Sequence, residues 1–182
     1  LYSTPAGKNT IVIVLADHGD GMGSHRMVTK QVSFYEEMTN VPFIIAGPGI
    51  HPRQKPVEDL LTQPTIDLLP TLCELAGIPV PSSKPGISLA PFLKGEKQKR
   101  QHPYAASEWH SEYEVTVSPG RMIRSPRYKY THYLEGNGEE LYDMLKDKGE
   151  RRNLAHDPKY SKILAEHRAL LDDYIRLSLI HI

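Results

Sequence analysis

Between Val14 and Glu37 the chain reads VLADHGDGMGSHRMVTKQVSFYEE, with Asp17, His18, Asp20, His25, Arg26 and Lys30 gathered directly behind an apolar run. A carboxylate and an imidazole side by side offer one ion an oxygen and a nitrogen if the backbone turns, and Gly19 allows that turn. The carboxylate favours a hard divalent cation, Ca2+ or Mg2+. His18 completes that shell or hydrogen-bonds a substrate. His25 is able to protonate a leaving group near neutral pH, and Lys30 offers a point charge to an anionic ester. For the Asp-His-Gly tripeptide alone, a loop aspartate that simply fixes a turn is the competing reading.

The elements around this cluster suit a site. NTIVIVLA (Asn9 to Ala16) is an almost unbroken β-branched and aliphatic run, which predicts a strand buried on both faces in a parallel sheet. The Gly- and Asp-rich stretch behind it is a loop, and open α/β sheets place their sites outside the carboxyl ends of strands. TKQVSFYEEMT reads as a short helix and Phe43 to Ala46 as a second buried strand. Pro64 opens a helix that Gly77 closes, with a kink expected at Pro70. SLAPFLKG reads as a short helical turn. The polar run KGEKQKRQH marks a boundary, which divides the chain into residues 1–95 and 96–182.

Beyond it the texture changes to short, half-alternating strands. RYKYTHYLEGNGEELYD predicts a hairpin. Ile163, Leu164, His167, Leu170, Leu171, Tyr174 and Ile175 then fall at helical spacing, with Ser161 as the expected cap. Tyr128, Tyr130 and Tyr133 are expected between sheet and helix, and Asp143 at a turn. Glu36 and Glu37 read as surface carboxylates of a helical first turn.

The 182 residues carry 22 Lys plus Arg against 22 Asp plus Glu, which argues against a nucleic-acid partner. No apolar run approaches the roughly 20 residues that cross a bilayer. A single cysteine, Cys73, excludes an internal disulfide. Its apolar helical context reads as a core thiol. The chain starts at Leu1, almost directly on a core strand, so sequence belonging to a longer protein is expected ahead of it.

Several stretches together carry a resemblance: TIVIVLADHGDGMGSH, Lys30, FYEEMTNVPFIIAGPG, QPTIDLLPTLCELAGIPVP, and the tail from RMIRSPRYKYTHYL through GEELYDMLKDKGERRNLAHDP. In that order they resemble the C-terminal portion of the sulfatase family, within the alkaline-phosphatase-like superfamily. The resemblance implies an α/β fold: the later part of a sandwich-like catalytic core, then a small antiparallel sheet packed with a C-terminal helix. It implies sulfuric ester hydrolysis, with Asp17 as a Ca2+ ligand (Mg2+ being the alternative) and His18 next to metal and sulfate. Lys30 would contact the sulfate. His25, in a G-x-H context, would assist proton transfer, and His110, in the subdomain that leans over the site, would contact substrate.

The family's nucleophile is a formylglycine made within C/S-x-P-S-R, and that motif is absent here. Ser118 and Ser125 lack its spacing. The expectation is therefore a fragment that holds part of the metal and sulfate site and needs the missing N-terminal segment for a complete one. Family habit implies export. A phosphonate or phosphate ester hydrolase of the same superfamily and a non-catalytic truncated module are the alternatives.

Overall fold

The aliphatic run behind Asn9 forms a strand, β1 (Val12–Leu15), that pairs with β2 (Phe43–Ala46). The pairing is antiparallel, with Val12 opposite Ala46 and Leu15 opposite Phe43. The expectation of a parallel, doubly buried strand fails on both counts. Val14 is 49% exposed, Leu15 42% and Ile44 57%. Aliphatic continuity reports a preference for burial; it carries no information about strand direction or about what lies on each face.

The computed structural model describes residues 3–28, 33–58, 60–82, 86–97, 102–110, 119–134, 136 and 138–179. They group into two compact units, residues 1–17 with 41–102 and residues 18–40 with 103–182. The segment 18–40, which holds α1 (Glu36–Thr39), thus groups with the C-terminal half rather than with the strand that precedes it. Among the described residues no helix is long and apolar enough to cross a membrane.

In the first unit Pro64 stands at the first position of α2 (Pro64–Ala76), and Gly77 ends the helix at φ +69°. The helix continues through Pro70. Pro70 has no N–H for the Ile66 carbonyl. Gly86, at φ +125°, lies against that same carbonyl, where an added Cβ would come within 2.1 Å of it. Cys73 is buried on α2 as a free thiol.

Asp67 organises this unit although it is fully buried. Its carboxylate accepts from the backbone N–H of Gln63 (2.8 Å) and of Ile87 (2.8 Å), and from His102 Nε2 (2.7 Å). One turn on, the Thr71 hydroxyl donates to the Asp67 carbonyl (2.6 Å) and accepts from Leu89 N–H (3.0 Å), just ahead of α3 (Ala90–Leu93). A buried carboxylate is tolerated where hydrogen bonds replace its hydration.

In the second unit four strands pair in sequence order and antiparallel: β3 (Ala105–Trp109), β4 (Gly120–Arg124), β5 (Tyr128–Tyr133) and β6 (Glu139–Asp143). The expected hairpin is β5–β6. Against one face packs α4 (Ser161–Leu179), and Ile123, Tyr128, Tyr130, Leu141, Leu154, Leu164 and Leu171 form the core. Period-two alternation sends Tyr133 to the opposite face, against Phe34, so only two of the three tyrosines meet the helix. Ser161 is not the cap. Asp157 accepts from Lys159 N–H and starts a 3-10 turn that leads into α4. Asp143 ties the turn after β6 by pairing with Arg127 (2.8 Å).

Inside this core His167 Nδ1 donates to the Ile163 carbonyl (2.8 Å), and Nε2 faces the Ser125 hydroxyl at 2.9 Å. The pair looks like a nucleophile and its base. Both residues are buried, and Ser125 is also bonded to both the N–H and the carbonyl of Tyr128, which closes the β4–β5 turn.

Burial holds the His167 imidazole below its usual value of 6.5, outweighing the opposing effects of the Ile163 carbonyl and Glu166. The neutral ring is favoured in the fold, so the unfolded chain binds the extra proton. His167 therefore contributes stability above pH 6.5 that is lost as pH falls from 6.5 through the folded value. Urea titrations between pH 7.5 and 5 should show this slope in the parent chain and a flatter one in His167→Gln. At pH 7, Asp67→Ala should cost about 3 kcal/mol or more, because it orphans several buried donors at once.

Candidate active site

The loop behind β1 is built on close backbone approach. Gly19 N–H donates to the Met38 carbonyl (2.9 Å), and a Cβ on Gly19 would sit 1.8 Å from the Glu37 carbonyl oxygen. Only glycine permits that contact. Residues 21–27 then close on themselves. Ser24 N–H donates to Gly21 O (2.7 Å), Gly23 N–H to Met27 O (2.7 Å) and Met27 N–H to Ser24 O (2.8 Å). Met27 is buried beneath Gly21. Asp20 Oδ1 accepts from Met22 N–H (3.1 Å). This closure forces three non-glycine residues into the left-handed region: Met22 at φ +47°, His25 at +50° and Arg26 at +63°. Each such residue costs of order 1 kcal/mol, and such strain concentrates at functional sites.

His25 sits at the tip of this loop. Its ring stacks on Tyr35, with centroids 3.6 Å apart and planes 2° from parallel. Its Nε2 lies 3.9 Å from Glu37 Oε2. Burial works to raise the Glu37 carboxyl, but hydrogen bonding from Ser24 and its own backbone, with the nearby His25 and Lys129 charges, holds it below the usual value. Tyr35 in turn hydrogen-bonds Tyr142, and burial followed by the Glu140 charge pushes its hydroxyl up, so it stays protonated. Beneath it the Tyr133 hydroxyl donates to Glu140 (3.2 Å). Burial raises the Glu140 carboxyl despite the two tyrosine hydroxyls.

Segment 34–39 is anchored by a buried cation. Lys129, 1% exposed on β5, places Nζ 2.8 Å from Glu36 Oε1, 2.9 Å from Glu150 Oε1 and 2.8 Å from the Phe34 carbonyl. Glu150 Oε2 accepts from Glu36 N–H (2.7 Å). Burial raises the Glu150 carboxyl, against the pull of Lys129. Of the predicted helix over TKQVSFYEEMT, residues 29–32 lie outside the described residues, and within 33–39 the helix is confined to Glu36–Thr39, since Tyr35 is extended and the Phe34 carbonyl is taken by Lys129 instead of a helical amide. Glu36 is accordingly no free surface carboxylate.

Of the residues singled out by sequence, Asp17 lies two residues past the end of β1 and His18 comes next; the division between the units falls between them. His18 Nδ1 donates to the Gly19 carbonyl (2.8 Å), so the neutral ring carries its lone pair on Nε2, as a metal-binding imidazole requires. By type, a carboxylate and an imidazole are donors that suit a divalent cation. Among the described residues no group of three or more ligating side chains stands together. Lys30 lies outside the described residues. His110 is exposed just past β3 and is not brought to His25 by any described contact. The partners that sequence reading missed are Tyr35, Lys129 and Glu150. Lys129 carried a signal: a lone lysine inside an aromatic strand, alternating with Tyr128 and Tyr130. Glu150 carried none, since its left-handed backbone (φ +48°) is a tertiary feature.

Comparison with known proteins places this arrangement in context. Residues 23–176 match the family model described as N-sulphoglucosamine sulphohydrolase, C-terminal. The chain is 78% identical over 178 residues to the Delta 4,5-hexuronate-2-O-sulfatase of Bacteroides thetaiotaomicron, covering 98% of this chain and 37% of that protein. It is 35% identical to arylsulfatase K of Canis lupus familiaris over 81% of this chain and 28% of that one. The solved structure of a 2-O GAG sulfatase superposes with a TM-score of 0.93 at 78% identity, over 98% of this chain and 38% of the other. The chain thus spans less than two fifths of the length of these relatives.

Truncating Lys129 to Ala should destabilise the second unit by about 3–5 kcal/mol in urea unfolding, because Glu150 is left buried without its cation while Glu36 keeps Arg124, at 3.7 Å. The double variant Lys129→Met with Glu150→Gln should lose much less.

Proposed function

Because this chain belongs to the sulfatase family, as its C-terminal portion, we propose that the protein containing it hydrolyses the 2-O-sulfate ester of a hexuronate. The 78% identity to a hexuronate-2-O-sulfatase, over a match that takes in nearly the whole chain, carries this reading. The local geometry supports it. A strained, hydrogen-bonded loop presents an imidazole that is stacked on one side and has a carboxylate near its Nε2.

Each residue has a distinct task. Asp17 and His18 would hold a divalent cation, Ca2+ or Mg2+, which when bound would supply positive charge to the sulfate oxygens. Lys30 adds a second positive charge to the same group. A sugar hydroxyl is a poor leaving group as an alkoxide, so His25 donates a proton to the ester oxygen as the S–O bond breaks. Glu37 Oε2 faces the imidazole Nε2 at 3.9 Å, and the stacked Tyr35 fixes the ring plane. The attacking group, a formylglycine, belongs to the rest of the protein. Coverage of only 37% of the hexuronate sulfatase supports that division, as do the exposed aliphatic side chains of Val14, Leu15 and Ile44. The protein is exported, by analogy with its family.

The test uses the full-length protein and a disaccharide with a 4,5-unsaturated, 2-O-sulfated hexuronate, with sulfate release followed by ion chromatography. Turnover, its loss on chelation and its return with Ca2+ are expected. His25→Ala should lower kcat by about 10²- to 10⁴-fold. Turnover of phosphonate or phosphate monoesters without sulfate release would assign the protein to the alternative chemistry. Turnover by the isolated 182-residue chain would overturn the division of the site.

A further inference from the structure

Arg26 stands next to His25 and does nothing inside the described structure. Its side chain is exposed and has no hydrogen bond, ion pair or ring contact among the described residues. Among the described residues only Arg151, whose backbone is not left-handed, shares this lack of a side-chain partner; the others behave differently. Arg121, Arg124, Arg127, Arg152, Arg168 and Arg176 each pair with a carboxylate, and Arg53 lies over the Phe92 ring. A solvated arginine is ordinary at an unstrained surface position. Arg26 is not at one: its φ of +63° follows His25 at +50°, two successive side-chain-bearing residues in a region that glycine occupies freely.

Glycine at position 26 would relieve this local strain and still allow the hydrogen bonds that close the loop, since those run through Gly21, Gly23, Ser24 and Met27. An arginine here is locally unfavourable, which calls for a role outside the loop. The backbone beneath it is held on both sides, by the Met27 N–H to Ser24 bond and by the burial of Met27. The guanidinium therefore starts from a defined point, with its Cα about 3.8 Å from that of His25.

Resting on the hexuronate reading above, we propose that Arg26 binds the carboxylate of the substrate and makes this site selective for an acidic sugar. In a 2-O-sulfated hexuronate the carboxyl carbon is attached across the ring from the ester. When His25 reaches the ester oxygen, the carboxylate lies one sugar ring away, within the span of an extended arginine on the adjacent residue. The planar guanidinium accommodates a carboxylate through two parallel N–H···O bonds, a fit that lysine's ammonium cannot reproduce. A guanidinium with no ion pair among the described residues suits this task, because none of those contacts has to break when substrate arrives.

The test compares two substrates on the full-length enzyme: the 2-O-sulfated hexuronate disaccharide and its analogue with the carboxyl reduced to a primary alcohol. Wild type should prefer the acid. In Arg26→Gly, kcat/KM for the acid should fall about 10- to 100-fold more than for the alcohol, mostly through KM. The same variant should melt at or above the wild-type temperature, since glycine relieves the backbone. Arg26→Lys should recover only part of the preference. Equal losses on both substrates, or a preference that survives in Arg26→Gly, would overturn the assignment of Arg26 while leaving the hexuronate sulfatase reading intact. Wild-type failure on both substrates would overturn both.

Discussion

A single buried ammonium governs the part of the molecule that carries the candidate chemistry. Lys129 is nearly inaccessible, and removing its charge from water is costly unless acceptors surround it. Glu36, Glu150 and the Phe34 carbonyl provide them, and the lysine and Phe34 are 95 positions apart in the chain. The requirement to surround one charge thus binds a loop near the start of the chain to a strand near its end. It also explains why the helix after Phe34 is short. The Phe34 carbonyl serves the lysine, and Glu150 takes the N–H of Glu36, the first residue of α1.

The loop that results is strained, and the strain is local. Three left-handed side-chain-bearing residues cost a few kcal/mol together, comparable with the net worth of the backbone hydrogen bonds that close residues 21–27. The loop holds its shape only with further support: the buried Met27, the contact of Gly19 with α1, and the His25–Tyr35 stack. Around the stack, Tyr35, Tyr142, Tyr133 and Glu140 form a half-buried to buried hydroxyl and carboxyl layer in which burial favours the protonated forms. This hydrogen-bonded layer supports the ring of His25 through its stacked partner Tyr35.

Buried polar groups do purely structural work elsewhere. Asp67 gathers a helix start, a returning strand of backbone and His102 in the first unit. Ser125 and His167 have the spacing of a nucleophile and base, yet they close a turn inside a packed core. Proximity of reactive types is therefore a weak guide to catalysis. Accessibility and backbone strain separate His25 from His167: one is stacked on a loop tip with left-handed backbone, the other is enclosed within α4 and the sheet.

Sequence by itself determined the periodic and the local. Helical spacing located α4, Pro64 and Gly77 bounded α2, and the aromatic alternation of RYKYTHYL marked β5, because period and turn chemistry are written in neighbouring residues. The ordered series of motifs identified the family and singled out Asp17, His18, His25 and Lys30 as candidate site residues. What only the tertiary structure decided was long-range. The antiparallel pairing of β1 with β2, the grouping of residues 18–40 with the C-terminal sheet, the face on which Tyr133 lies and the burial of Lys129 all depend on residues far apart in the chain. So do the left-handed turns at His25 and Arg26, which no propensity favours and which persist because the surrounding contacts over-determine them.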